Sequence, residues 1–110
     1  MQEYSTPQAI EVAEDTALTD AMFARAASAP DAAVFTRRLE GQWSPVTAKE
    51  FATEVRSLAA GLVASGIQAG DRVALFSGTR FEWMLCDFAI WAAGAVTVPV
   101  YETSSAEQVE

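Results

Sequence analysis

A chain of 110 residues, 51% apolar and 20% charged, has the composition of one small globular domain or part of a larger one, not of a disordered tail. Its 7 basic and 15 acidic residues leave a net charge of −8 with no basic cluster, which repels phosphate backbones and excludes a nucleic-acid partner. With no histidine and the single Cys86, the chain can build neither a Cys–His nucleophile pair nor a structural zinc site nor an intramolecular disulfide.

Residues 1–16 are mixed and acidic, contain Pro7, and read as an amino-terminal arm. They hold no basic segment followed by an apolar one, so they are no secretory signal. A first helix is expected from about Leu18 to Ser28, with Leu18, Met22 and Ala26 on one face and Pro30 ending it. Ala33–Leu39 reads as a strand, Glu40-Gly41-Gln42 as a turn, and Trp43-Ser44 as the start of the return strand of a hairpin. Thr47 and Glu50 form a capping-box pattern. The helix it opens carries Phe51, Val55, Leu58 and Leu62 as one apolar stripe and stops at Ser65-Gly66.

Ile67–Asp71 is a tight polar connection into Arg72–Phe76, which does not alternate and so suits a strand covered on both faces. Thr79 and Glu82 repeat the capping-box pattern ahead of a helix to about Ala93. That helix is apolar nearly all round, with Glu82 and Asp87 as exceptions, and wants more than one neighbour. Gly94 stops it, and Ala95–Val98 is a further strand closed by Pro99. Strand, helix and strand make a βαβ unit, whose crossover should be right-handed. The last residues, from Ser104 or Ser105 as cap to Glu110, read as a helix cut off after about a turn. The expected architecture is thus α/β, a β-hairpin plus helix followed by a βαβ unit with parallel strands. It divides into the arm, 1–16, and a partial domain, 17–110, truncated at its carboxyl end.

Candidate chemistry is sparse. Ser77-Gly78-Thr79 lies between a strand and a helix, where a phosphate loop would sit, but it lacks the glycines and lysine of such a loop, and a turn with an N-cap is the expectation. Glu82 and Asp87 lie about 140° apart round a helix, so they are no acid–base pair. Asp87, an acid among apolar residues, needs a partner, and Arg72 or Arg80 is the expected one. Cys86 reads as a packed thiol, and Trp83, Phe88 and Trp91 read as core, with the wall of an acyl tunnel as the alternative. Tyr101 and Thr103 are the candidate substrate-binding residues, because they lie just past the carboxyl end of a parallel strand, where open α/β sheets place ligands. Ser104 beside them reads as a helix cap. The longest apolar stretch, Met84–Ala95, carries Asp87 and falls short of the ~20 residues that span a bilayer, so a cytoplasmic chain with no transmembrane segment is expected.

Gly70-Asp71-Arg72-Val73-Ala74-Leu75, Glu82-Trp83, Asp87, Gly94-Ala95-Val96 and Val98-Pro99-Val100-Tyr101-Glu102-Thr103 stand in a telling order. It resembles the amino-terminal part of the AMP-forming acyl-CoA synthetases, of the adenylate-forming superfamily. The Tyr101–Ser104 segment running into a helix looks most like the bacterial long-chain fatty-acid–CoA ligases. The Gly41-Gln42-Trp43 hairpin and the helix from Thr47 to Ser65 match the same pattern. Thr79 stands where many relatives have Asn, and Ala106 where many have Pro, and both changes keep the local structure.

The resemblance implies a parent enzyme that joins a fatty carboxylate to ATP, releases pyrophosphate, and passes the acyl group to coenzyme A. It also implies magnesium and a site at the membrane periphery as an alternative for the parent. The family's phosphate loop, nucleotide contacts and catalytic lysine lie downstream, so no catalytic, cofactor-binding or metal residue is assigned here. The only lysine, Lys49, is expected to face solvent. The expectation is an inactive fragment that partners the rest of its synthetase. A family relative acting on other acids, or a peptide-synthetase adenylation domain, fits the same residues. The alternative from another class is an interaction module that forms a homodimer through its apolar helix or by swapping its hairpin or arm.

Overall fold

The computed structural model describes residues 2–109. Its elements are α1 (Asp20–Ser28), β1 (Ala33–Leu39), β2 (Gln42–Thr47), α2 (Ala48–Ala64), β3 (Arg72–Phe76), α3 (Phe81–Ala92), β4 (Val96–Val100) and α4 (Ala106–Val109). β1 and β2 form an antiparallel hairpin, and β3 and β4 a parallel pair joined through α3, the α/β architecture expected. Among the described residues no helix is long and apolar enough to cross a membrane.

The hairpin turns on Glu40 and Gly41, at φ +48° and +85°, between the paired residues Leu39 and Gln42. Two positive φ values in a two-residue loop match the right-handed twist of the flanking strands, and glycine takes the second without strain. A bulge between Ala33 and Phe35 brings Phe35 opposite Val46. β2 runs straight into α2 at Thr47, and the first amides of α2 are tied back across the hairpin: Ala48 N–H donates to Ala32 O (2.9 Å) and Lys49 N–H to Pro30 O (3.0 Å). The capping box forms as the pattern predicts. Thr47 N–H and Oγ1–H donate to the Glu50 carboxylate at 2.8 and 2.9 Å, and Glu50 N–H donates to Thr47 Oγ1 at 3.2 Å. These bonds, with Arg37 nearby, hold the Glu50 carboxyl below its ordinary pKa.

The core is built on Val46, Phe51 and Val55, with Phe35, Phe81, Met84 and Phe88 packed against them. The Phe51 ring centroid lies 4.7 Å from that of Phe35, 5.4 Å from Phe88 and 6.1 Å from Phe81, so one ring joins the hairpin to α3. Ala48, Ala52 and Ala59 share the buried face of α2, while Leu58 and Leu62 of the expected stripe are only half-buried. Arg37 fastens the same junction from outside: it pairs with Glu54 at 3.7 Å and lies 5.0 Å over the Phe81 ring.

In the βαβ unit, Gly70 N–H donates to Gly94 O (2.8 Å) and Val96 N–H to Asp71 O (2.7 Å), locking the two strand entries side by side. Gly94 has φ +77°, and a Cβ there would come 3.3 Å from that of Ala69, so only glycine lets the loops approach.

Several expectations are corrected. α1 starts at Asp20, whose carboxylate accepts from Ala17 N–H at 2.8 Å; this turn leaves Leu18 71% exposed and buries Thr19 instead. α3 starts at Phe81 with Arg80 as an N-cap lacking a side-chain bond, so the second capping box does not form. Glu82 is then the second helical residue, one short of the position that reaches back to the cap, and pairs with Arg80 at 3.4 Å. Pro99 does not close β4, which runs on to Val100. β3 is covered on one face only: Leu75 is buried towards α3, while Arg72, Ala74 and Phe76 are exposed on the other.

Phe51→Ala should cost about 3–5 kcal/mol, a large share of the roughly 5–15 kcal/mol that stabilises a whole domain. Urea unfolding followed by circular dichroism should show the midpoint collapse. Thr47→Ala should cost about 1 kcal/mol. Because the Glu50 pKa is depressed in the folded state, its contribution is present above the ordinary carboxylate range and fades as pH falls through the folded value. Glu50→Gln should therefore flatten the acid side of a stability–pH curve, and an unchanged acid limb would contradict the assignment.

Candidate functional site

The carboxyl ends of β3 and β4 lie next to each other, and the loops that leave them enclose a cleft of about 340 Å³. Ser77, Gly78 and Thr79 line it from the β3 side, Pro99, Val100, Tyr101 and Glu102 from the β4 side, and Trp83 of α3 forms its back wall. This is the edge where an open parallel sheet presents its loops to a ligand.

The sequence-predicted site residues separate here. Tyr101 lines the cleft and is 83% exposed. Thr103 is exposed in the turn that follows and does not line it. Ser104 N–H donates to Tyr101 O at 3.0 Å, which closes the turn carrying Tyr101 and Glu102. The helix cap falls one residue later: Ser105 N–H donates to Gln108 Oε1 at 2.9 Å. Among the three aromatic residues weighed as a tunnel wall, Trp83 reaches the cleft, whereas Phe88 packs tilted at 5.1 Å against Trp91 and edge-on at 5.4 Å against Phe51 inside the fold.

Glu102 was not singled out by the sequence. It follows Tyr101 directly beyond a parallel strand, and that position was the only signal available. Its carboxylate lies over Gly78: a Cβ built there would meet Glu102 Oε2 at 2.6 Å. The backbone of the Ser77–Thr79 loop is thus faced at Gly78 by an anion. Ser77 Oγ–H donates to Gly78 O at 3.0 Å, so this hydroxyl too is turned inward. The loop acts as a strand-to-helix turn, as expected, though Thr79 does not cap the helix.

Asp87 is buried at 6% exposure, yet the expected ion pair is absent. Among the described residues the ion pairs are Arg37–Glu54 and Arg80–Glu82. Arg72 is on the face of β3 away from α3 and Arg80 is engaged with Glu82, so neither is placed to pair with Asp87. Lys49 is exposed, as expected, and Cys86 is half-buried in α3. No three His, Cys, Asp or Glu among the described residues form a group that could hold a metal ion. Chemically, the cleft offers an indole, a phenol ring and proline as apolar walls, with one carboxylate to accept from a donor group.

The AMP-binding enzyme family matches residues 22–110. The chain is 49% identical over 109 residues to long-chain-fatty-acid–CoA ligase FadD15 of Mycobacterium tuberculosis, covering 99% of this chain and 18% of that protein. Among solved structures, acetoacetyl-CoA synthetase of Streptomyces lividans superposes with a TM-score of 0.75 at 28% identity, over 84% of this chain and 15% of that one. The fatty acid AMP ligase of Legionella pneumophila shares the fold, with a TM-score of 0.74 over 84% of this chain and 16% of that one, at 24% identity. The hairpin, helix and βαβ unit therefore correspond to a part of adenylate-forming enzyme structures, and the chain spans 18% of the length of its curated relative. A match of this extent, on a fold that agrees with it, places the chain in the family of AMP-binding enzymes.

Proposed function

We propose that the chain is the amino-terminal portion of a long-chain fatty-acid–CoA ligase. The whole enzyme would couple a fatty carboxylate to ATP with loss of pyrophosphate, then transfer the acyl group from the adenylate to the coenzyme A thiol. The observation that carries this reading is identity of 49% along 109 residues with a ligase of which the chain spans 18%. An identity that high over nearly the whole chain favours the long-chain branch over the peptide-synthetase alternative.

In this reading the isolated chain is inactive and its partner is the remainder of the synthetase, in the cytoplasm or at a membrane surface. ATP, magnesium and coenzyme A would be held by that remainder. The charge pattern supports this. The cleft presents Glu102 where a triphosphate would need donors, and Arg80 nearby is occupied by Glu82. What the chain would contribute is the Tyr101–Trp83 wall of a site completed from elsewhere.

The isolated chain should show no fatty-acid-dependent exchange of pyrophosphate into ATP above background, and clear turnover would overturn the claim of inactivity. The codons that follow Glu110 in the source gene should encode a Ser/Thr/Gly-rich stretch with a lysine shortly downstream. A stop codon at that point would overturn the reading as part of a ligase.

A further inference from the structure

A second hollow, of about 270 Å³, lies beside the Phe51 ring. Four elements of the chain wall it: α1 with Met22 and Arg25, β1 with Val34, α2 with Ala48 and Phe51, and α3 with Phe88. Ala48 and Phe51 are buried, at 3% and 1% exposure, so the hollow belongs to the way these four elements pack and not to the open margin of the β3–β4 sheet. It is distinct from the cleft. Phe88 lies about 140° round α3 from Trp83.

Protein interiors are close-packed, and this gap against the central ring has a local cause. The turn that starts α1 at Asp20 sends Leu18 outward, 71% exposed. α1 buries none of its own residues and sets Ala21 and Met22 where a larger side chain would fill the space.

Every lining residue but one is apolar. The exception is Arg25, exposed in the last turn of α1 and engaged in neither ion pair among the described residues. No acid lines the hollow to compete for it. Such a site is complementary to an apolar chain with one anionic end. The chain would replace water against the rings, and a carboxylate would accept two parallel N–H···O bonds from the guanidinium fork. A dry apolar cavity of about 150 Å³ takes up benzene, so on the same scale this one holds about ten carbon atoms.

We propose that this hollow is a binding site for an aliphatic carboxylate of medium length, its chain against Phe51 and Phe88 and its head on Arg25. The site rests on no part of the ligase reading and needs neither ATP nor coenzyme A.

Titration of octanoate into the isotope-labelled chain, followed by amide NMR, tests it. Saturable shifts should appear at Ala21, Arg25, Val34 and Ala48. Octanol has the same chain without the charge and should bind roughly tenfold more weakly. Arg25→Gln should lose affinity for octanoate by about the same factor and none for octanol. Ala21→Leu, at an exposed helical position, fills the hollow and should abolish binding with an unchanged circular dichroism spectrum. The absence of saturable binding overturns the proposal, as does undiminished octanoate affinity in folded Arg25→Gln or Ala21→Leu. Shifts confined to Trp83 and Tyr101 would give octanoate to the cleft and overturn it too. Contacts from the hollow to Ile10 or Val12, or a dimer mass in light scattering, would assign it to the arm or to a second copy instead. Failure on any of these counts leaves the ligase reading to its own tests, the pyrophosphate exchange and the codons after Glu110.

Discussion

Phe51 sits where α2 meets the hairpin on one side and α3 on the other. Phe35 reaches it from β1, and Phe81 and Phe88 from positions about two turns apart on α3. Tilted and edge-on rings at these separations add to the burial of their area. Each of the two sheets has only two strands, which is marginal for independent stability. The hairpin and the βαβ unit therefore depend on α2 as their common support, and α2 depends on Phe51 being covered from both sides. The exterior ties of Arg37 to Glu54 and Phe81 act on the same seam, and the cap at Thr47 fixes where α2 begins and hence where Phe51 points.

That seam also places the cleft. α3 is held against α2 by Phe81 and Phe88, so its first turn can present Trp83 to the loops leaving β3 and β4. The two strands keep their ends level because Gly70 and Gly94 bring their entry loops within a hydrogen bond of each other. A side chain at Gly94 would meet Ala69 at 3.3 Å on a backbone with φ +77°, so glycine there keeps the entry loops in contact.

The strands, the hairpin turn and the α2 cap were legible in the sequence because local chemistry decides them: β-branched runs, a Glu-Gly pair, a Thr-x-x-Glu box. The errors fell where geometry beyond the local pattern decides. Thr79 and Glu82 satisfy the same box as Thr47 and Glu50, but α3 starts at Phe81, where the aromatic cluster needs it, and the box falls out of phase. Pro99 reads as a strand end, yet its missing N–H lies on the unpaired side and costs the ladder nothing. A run without alternation such as Arg72–Phe76 signals two covered faces without saying which residues cover them. Tyr101 was found because position beyond a parallel strand is a topological rule. Thr103 follows the same rule, but the tight turn closed by Ser104 carries it past the cleft. Nothing in the residue types marked Glu102 as the group that would face Gly78.

The distribution of charge decides what the cleft can hold. Binding a triphosphate requires several oriented donors or cations around it. Arg80, next in the chain after Thr79 of the cleft, is paired with Glu82, while Glu102 adds a negative charge over Gly78. A net charge of −8 deepens the repulsion. The surfaces the cleft does offer, Trp83 and Tyr101 with Pro99 between them, are flat and apolar, suited to lying against an organic group or another part of a protein. None of the residues that line the cleft is a cation, so any positive field there has to come from beyond its lining.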